Sequence, residues 1–309
     1  MNRLTAALAS ALFVAASATA ADAPHLKVAL TFDDLPLNGA QPAGISKSQM
    51  ARDTLAVLEK YRVPPSYGFI NAKLLEDDPD AALMLQLWVK AGHPLGNHTY
   101  PHLNLDKNSA EDFTREILRN EPVLELLMPP GGKHDFRYLR YPFLHEGDTL
   151  EKRRAVRAFL AAHHYQVAET TLDYEDYAWN SAYARCLDRH DTQSIAWLRE
   201  SYLATADEWM RAQRDMSRRL WGRDINHVLL LHQGAFSATI LPDLFALLKK
   251  QGYELVTLEE AQSDPVYAED PDVAKPGGGT LIEHVVEKRG LTWPAITPKP
   301  REQLAAVCQ

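Results

Sequence analysis

Residues 26–34 read LKVALTFDD, an apolar stretch that ends in two adjacent carboxylates. Its apolar side chains recur at every second position, which is the period of a β-strand, at Leu26, Val28, Leu30 and Phe32. Further short apolar segments follow, separated by helical patterns, at residues 67–70, 94–97, 136–141, 166–170, 228–231 and 253–257. Strands that alternate with helices predict an α/β fold with a parallel sheet, either open or closed as a barrel.

Helical segments in this alternation are bounded by recognisable start and stop residues. Ser46, Pro79 and Ser109 stand at the start of helical patterns, and Gly92 ends the second of them. A longer helical pattern covers residues 194–221, within the stretch 190–222. This stretch resembles a helical insertion, which either shapes a groove or packs on the rest of the fold.

Beyond residue 262 the chain becomes rich in proline and glycine. We therefore predict one folded body at residues 21–262 and an extended tail at residues 263–309 that packs on it, with one helix near residues 280–288. Cys186 and Cys308 lack the spacing of a metal site. They either form one disulfide that ties the tail to the body or remain two isolated buried thiols.

Residues 1–20 have the features of a secretory signal peptide. Arg3 is their single charge, an apolar run extends from Leu4 to Ala16, and a small-residue A-x-A site closes the stretch at residues 18–20. A transmembrane anchor is the alternative, but the run is rich in Ala and Ser and is shorter than the roughly 20 apolar residues of a span. We expect an exported protein, periplasmic or secreted, with no stable membrane span after cleavage.

The composition is that of a globular protein, with 309 residues, 46% of them apolar and 24% charged. Because the formal net charge is −8 and no stretch is strongly basic, nucleic acid is not an expected partner. The sequence contains no G-x-S-x-G motif of a serine hydrolase and no glycine-rich phosphate loop. Composition leaves the oligomeric state open.

Three polar motifs follow predicted strands and would meet at one edge of the sheet. Asp33 and Asp34 point to opposite faces of a strand, so one can bind a metal while the other handles a proton. His98 and His102 can converge on one ion, and a carboxylate with two imidazoles suits zinc, cobalt or nickel. His232 adds a group that titrates near neutral pH. Each motif alone is more typical of a turn, a surface pair or a structural histidine; together they predict a hydrolytic metal site.

These motifs, together with RYPF at residues 140–143, resemble in order and style the polysaccharide deacetylase family. This is the NodB-homology group of metal-dependent carbohydrate deacetylases, and the resemblance covers roughly residues 26–260. It implies a distorted (β/α)7 barrel, similar to a TIM barrel, with its active site at the carboxyl ends of the strands. It also implies a divalent metal, usually zinc, held by Asp34, His98 and His102.

The same resemblance implies roles for the other motif residues. Asp33 would be the general base that takes a proton from the attacking water, and Arg140 would hold it by an ion pair that keeps its pKa low. The backbone N–H of Phe143 would stabilise the oxyanion, and His232 would protonate the departing amine. Leu230 would line a small pocket for the acetyl methyl group.

The chain departs from the family pattern at three places. Phe143 stands where the family has tyrosine, which keeps the backbone donor and removes a phenol. The family motif D-x-x-D-W reads DYEDY at residues 173–177, where Asp176 can still tune His232 and either Tyr177 or Trp179 replaces the tryptophan wall. Gln233 stands where an acid commonly follows the histidine. These changes affect the expected substrate wall more than the expected metal site.

The leading hypothesis is a metal-dependent hydrolase that removes N-acetyl groups from an exported or cell-envelope glycan of the N-acetylglucosamine type. One alternative keeps the site and changes the bond, as an O-acetyl esterase or an amidase for a non-sugar substrate. A second alternative is a non-catalytic glycan-binding protein on a decayed hydrolase scaffold. The sequence does not distinguish peptidoglycan, chitin-type oligomers and exopolysaccharides as substrates.

Overall fold

The computed structural model describes residues 26–128 and 131–309, and the predicted signal peptide at residues 1–20 lies outside them. The strands are β1 Leu26–Asn38, β2 Gly68–Ile70, β3 Leu95–Asn97, β4 Tyr138–Leu139, β5 Gln166–Val167, β6 His227–Gly234 and β7 Tyr253–Val256. The helices are α1 Lys47–Lys60, α2 Pro79–Lys90, α3 Ala110–Leu127, α4 Leu150–Ala162, α5 Tyr177–Asp188, α6 Thr192–Trp221, α7 Ser237–Lys250, α8 Leu258–Ala261, α9 Leu281–Lys288 and α10 Arg301–Ala306. Short 3₁₀ turns cover Ala72–Leu75, Leu105–Lys107, Pro142–Leu144 and Pro265–Ala268.

The strands pair in parallel in the order β5-β4-β3-β2-β1-β6, and β7 pairs with the first residues of β1. The sheet curls until the chain just beyond β5 meets β6. There the N–H of Leu172 donates to the carbonyl of Val228, and the N–H of Leu230 donates to the carbonyl of Leu172, both at 3.0 Å. This arrangement confirms the predicted distorted (β/α)7 barrel.

The barrel is a packed core rather than a channel. Side chains that point inward from successive strands form one buried cluster, which contains Ala29, Tyr67, Phe69, Tyr138, Ala168 and Val228. The outward-facing side chains pack against the helices; Phe32, for example, meets Trp88 of α2 edge to face at 5.3 Å between ring centres. Because the interior is filled, a ligand site is expected at the carboxyl ends of the strands.

The predicted helix starts are found where capping residues indicated them. The side chains of Ser46, Asp78 and Ser109 accept hydrogen bonds from the backbone of the first turns of α1, α2 and α3. The long helix α6 matches the predicted pattern at residues 194–221 and packs against α5, α7 and α9. Helix α5 was not predicted from the sequence pattern.

The tail contains more structure than the expected single helix. Helix α9 lies where a helix near residues 280–288 was predicted, and α10 follows close to the end of the chain. Cys186 of α5 and Cys308 form a disulfide, so of the two alternatives for these cysteines the structure contains the covalent tie. Among the helices at residues 26–128 and 131–309, none is long and apolar enough to cross a membrane.

Candidate active site

Three potential metal ligands converge at the carboxyl end of the barrel. The Asp34 carboxylate oxygen Oδ1 lies 3.5 Å from His98 Nε2 and 3.3 Å from His102 Nε2. All three donor atoms lie within 4.8 Å of one another. Two imidazoles and one carboxylate are a set that zinc accepts, with coordination positions left over for water and substrate.

The environment of these groups fits a cation. Asp34 Oδ1 is buried and has no hydrogen-bond partner among the described residues, which is costly unless a positive group binds it. The Nδ1 atom of His98 lies 2.7 Å from the carbonyl oxygen of Arg140. That carbonyl can only accept, so Nδ1 carries the proton and Nε2 presents its lone pair to the centre.

Burial and neighbouring groups keep Asp34 and His102 in the protonation states that a metal requires. Burial opposes ionisation of Asp34, but the nearby imidazoles of His98, His232 and His102 outweigh it and lower the pKa of the carboxyl. Burial, reinforced by His98, lowers the pKa of His102 to about 4. The carboxylate of Asp34 and a neutral imidazole of His102 are therefore available near pH 7.

Two asparagines hold the second oxygen of Asp34. Asn38 donates to Asp34 Oδ2 at 2.8 Å, and Asn180 donates to Asn38 at 3.1 Å. Gly234 makes room for this pair, because a Cβ there would lie 2.1 Å from the Asn180 carboxamide. Neither asparagine could be predicted as part of the site, since no local signal separates them from ordinary loop residues.

Asp33 is held by a buried arginine. Arg140, which is 1% exposed, donates from Nη1 to both Asp33 oxygens at 3.1 and 3.2 Å. Its other nitrogens donate to the hydroxyl of Thr31 and to the carbonyl of Ala168, at 3.0 and 2.7 Å. The guanidinium is thus fixed on three sides, and it orients Asp33 beside His98, whose Nε2 lies 3.7 Å from Asp33 Oδ2.

His232 forms a separate pair with Asp176. The Nδ1 atom of His232 lies 2.7 Å from Asp176 Oδ1, and the backbone N–H of His232 donates to Asp176 Oδ2 at 2.8 Å. Burial disfavours a charged ring, but Asp176, with Asp34 and Asp33, outweighs it and raises the pKa of His232 to about 9. The free Nε2 faces the metal side, 4.0 Å from Asp34 Oδ2.

The predicted substrate residues take different positions around a cavity of about 500 Å³. Leu230, Tyr177 and Phe143 line this cavity, and the Tyr177 ring lies edge to face with His232 at 5.3 Å. Phe143 is the second residue of a 3₁₀ turn, so its N–H has no acceptor within that turn. Trp179 does not line the cavity: it is fully buried and donates to Ser201 at 3.0 Å.

The loops that carry these groups use left-handed backbone at residues that are not glycine. Asp34, Thr99, His102 and Phe143 have φ of 58°, 59°, 58° and 61°. Such conformations cost about 1–2 kcal/mol each for a residue with a Cβ and persist where surrounding structure enforces them. The backbone of the site is therefore set by its contacts and not by local preference.

A further part of the cavity wall comes from helix α6 and from the tail, which were not predicted as parts of the site. Helix α6 contributes Trp209 and Gln213, so it both packs on the barrel and reaches the cavity. The tail contributes Lys275, the glycines 277–279, Glu283 and Lys299. No local pattern predicts these contacts, because they join segments that are distant from one another in the chain.

The barrel and the converging ligands define an α/β-barrel protein with a candidate His-His-Asp metal site. The Asp33–Arg140 pair and the His232–Asp176 pair lie on either side of it. A sequence model of the family described as polysaccharide deacetylase matches residues 20–168. Over this segment, slightly less than half of the chain, the sequence is similar to that family, as the motifs indicated.

Similar proteins include a chitin deacetylase from Arthroderma benhamiae, 27% identical over 48% of this chain and 35% of that protein. A chitooligosaccharide deacetylase from Sinorhizobium fredii is 29% identical over 45% of this chain and 57% of that protein. The chitin deacetylase structure from Colletotrichum lindemuthianum shares the fold, with a TM-score of 0.52 and 20% identity over 76% of this chain and 86% of that one. The chain thus matches between 35% and 57% of the length of its curated relatives.

Proposed function

We propose that this protein is a metal-dependent hydrolase that removes N-acetyl groups from a glycan of the N-acetylglucosamine type. The observation that carries the proposal is the meeting of three units at one cavity: the ligands Asp34, His98 and His102, the pair formed by Asp33 and Arg140, and the pair formed by His232 and Asp176. Amide hydrolysis needs an activated water, a stabilised oxyanion and an acid for a poor leaving group.

Asp34, His98 and His102 would hold a divalent cation, with zinc as the first choice and cobalt or nickel as substitutes. When bound, such an ion makes a water more acidic and polarises the carbonyl of the acetyl group. Asn38 keeps the Asp34 carboxylate turned toward the two imidazoles. The orphaned Oδ1 of Asp34 is the strongest support for a cation at this position.

Asp33 would take the proton from the attacking water. Arg140 holds the carboxylate through both oxygens and prevents it from rotating away. The water oxygen adds to the acetyl carbon, and the N–H of Phe143 donates to the oxygen that gains negative charge. The fixed position of Asp33 saves the entropy of bringing base and water together.

His232 would give a proton to the amide nitrogen as the C–N bond breaks. Its Nδ1 is held by Asp176, which leaves the protonated Nε2 directed into the cavity. One water is consumed, acetate carries the new oxygen, and the sugar keeps a free amine. Leu230 would contact the acetyl methyl group, and Tyr177 would form the wall beside His232.

The proposed substrate class follows the names of the relatives, which act on chitin and chitooligosaccharides. The signal-peptide pattern at residues 1–20 supports an exported enzyme that meets its glycan outside the cytoplasm. An acetylated neutral sugar places no demand on the net charge of −8.

Acetate release from N-acetylglucosamine oligosaccharides by the zinc-loaded protein tests the proposal. Asp33→Asn should retain zinc and lose activity by about 10²–10⁴-fold, since it removes a general base and keeps the shape of the side chain. Asp243→Asn, on helix α7 away from the cavity, is the matched control and should stay active.

The same assay separates the alternatives. Faster release of acetate from O-acetylated sugars would favour the esterase, and a protein that binds glycan tightly without releasing acetate would favour the binding function. Full activity of Asp33→Asn would contradict the assigned base.

A further inference from the structure

The tail lines one side of the cavity beside the catalytic groups. Its first contact is made by the glycines 277–279, which sit against the turn that carries Phe143. A Cβ on Gly278 would lie 2.6 Å from the carbonyl oxygen of Leu144 and 2.5 Å from the His145 ring, so only glycine fits. The N–H of Gly279 donates to the carbonyl of Leu144 at 3.2 Å, and the N–H of Gly277 donates to Asp106 at 2.9 Å.

A second contact is made by the tail around Lys299. Its ammonium nitrogen lies 2.9 Å from Glu175 Oε1 and 3.7 Å from the centre of the Trp209 ring, and its side chain is only 9% exposed. Arg301 also pairs with Glu175, and the N–H of the Trp209 ring donates to the carbonyl of Thr297 at 3.3 Å. These contacts join the tail to helix α6 and to the DYEDY loop across the cavity wall.

The end of the tail is fastened covalently. Cys308 is bonded to Cys186 of helix α5, and Arg185 donates to the carbonyls of Leu304 and Val307 at 2.7 and 3.1 Å. The tail segment that lines the cavity is therefore held in place on both sides of Lys299. A long flexible glycan cannot displace it without breaking several ion pairs and hydrogen bonds.

The opposite side of the metal ligands is different. A second cavity of about 230 Å³ shares Asp34, Asn38 and His102 with the first and extends to Lys73 and Leu74. Leu74 is 46% exposed, and Lys73 is also exposed. A chain of sugars can leave the site in this direction into solvent.

Building on the proposed function, we infer that a glycan cannot extend through the cavity past the tail. The site then accepts short acetylated oligosaccharides or the end of a glycan, and excludes the interior of a long chain. The cavity offers the carboxylate of Asp173 for the hydroxyls of a terminal sugar, with Gln213 and Lys299 beside it in the lining. Gln213 is itself locked by two hydrogen bonds with the backbone of Asp173, at 3.0 and 2.8 Å. Specificity for glycan length then comes from the tail residues that line the cavity, since the action of the catalytic groups does not depend on chain length.

Mapping of products by mass spectrometry tests this inference on the zinc-loaded full protein. The substrates are a ladder of N-acetylated chitooligosaccharides of increasing length and a soluble acetylated chitin polymer. We expect the acetyl group to be lost at one fixed position counted from one end at every length. We also expect kcat/KM per acetyl group to be at least about tenfold higher on oligosaccharides than on the polymer.

Opening of the wall provides a second measurement. Lys299→Ala removes the contacts with Glu175 and Trp209. We expect this variant to lose acetyl groups at internal sugars as well, and to show a smaller ratio of kcat/KM between oligosaccharides and the polymer. Lys250→Ala, at an exposed position of α7, is the matched control and should leave the pattern unchanged. If Lys299→Ala does not fold, the product pattern of the unmodified protein still decides.

The outcomes are distinct. Acetyl loss at internal sugars or equal use of the polymer by the unmodified protein would overturn the inferred limit on glycan length and leave the deacetylase function standing. Absence of acetate release from every acetylated sugar would overturn the proposed function and the inference with it.

Discussion

Histidines in two regions of the same barrel rim have opposite acid–base properties. His102, beside His98, has its pKa lowered to about 4 by burial and by the neighbouring imidazole. His232 is also buried, but Asp176 raises its pKa to about 9. Burial pushes both rings toward the neutral form, so the partner decides the outcome. His102 therefore stays neutral and can ligate a metal although Asp34 lies 3.3 Å away, whereas His232, which Asp176 holds at 2.7 Å, can carry the proton needed by a leaving group.

The largest effect is expected from removing one of the three metal ligands. His98→Ala should remove zinc from the purified protein and lower kcat/KM by on the order of 10³-fold or more, since several kcal/mol of charge stabilisation are lost with the ion. Zinc content by atomic emission and acetate release measure the two effects together. His190→Ala, at an exposed position, is the control. Retention of zinc in His98→Ala would contradict the assignment of the ligands.

Removal of the proposed general acid, His232, should leave the metal in place. His232→Ala is expected to keep a full complement of zinc and to lose activity by about 10²–10⁴-fold, because the departing amine is no longer protonated. Substrates with a good leaving group should lose less, since they need less help from an acid. Equal losses on acetamide and activated ester substrates would argue against the role of His232.

A milder change adjusts His232 without removing it. Asp176→Asn removes the charge that raises the pKa of His232, so the ring loses its proton at a lower pH. Because the acid acts in its protonated form, the basic limb of the pH profile should move to lower pH. The activity at neutral pH should fall by about 10–100-fold, as for other residues that orient a reacting group. An unchanged basic limb would show that Asp176 does not control the acid.

The smallest effect concerns a buried histidine outside the site. Burial lowers the pKa of His93 to about 4, and its ring nitrogen accepts from the N–H of Ser66 at 3.1 Å. The folded state therefore holds His93 neutral while the unfolded chain takes up a proton below about pH 6.5, so stability is lost as pH falls through this range. Between pH 7 and 5.5 this histidine should account for about 1 kcal/mol of that loss.

Urea unfolding at the two pH values measures this contribution. His93→Asn should remove it, while His190→Asn, at an exposed position, should leave it in place. The same pH dependence in both variants would mean that burial alone does not set the charge of a histidine in this protein.

The barrel and its motif residues could be predicted because their signals are local. Apolar side chains at every second position indicate strands, and Ser46 and Ser109 mark helix starts wherever they lie in space. Parallel strands also bring their carboxyl ends together, so Asp34, His98 and His232 could be assigned to one rim before any coordinates were known. The structure adds the distances and the partners of each group.

Other features depend on contacts that no short segment encodes. Helix α5 was not predicted, and Asp176 at its start makes no capping bond with its side chain and instead binds His232. Tyr177 and Trp179 could not be ranked from the sequence. They stand two residues apart on a helix and therefore face nearly opposite directions, one into the cavity and one into the core.

The left-handed backbone at Asp34, Thr99, His102 and Phe143 has a consequence for protein engineering. Segments that carry these residues do not adopt the required shape by themselves, because each one must be forced into it by the packed barrel around it. Grafting of the short motifs onto another scaffold would therefore transfer the side chains and lose their directions. A transplantable unit would have to include the strands, the supporting asparagines and Arg140, which makes the smallest portable version of this site almost as large as the barrel itself.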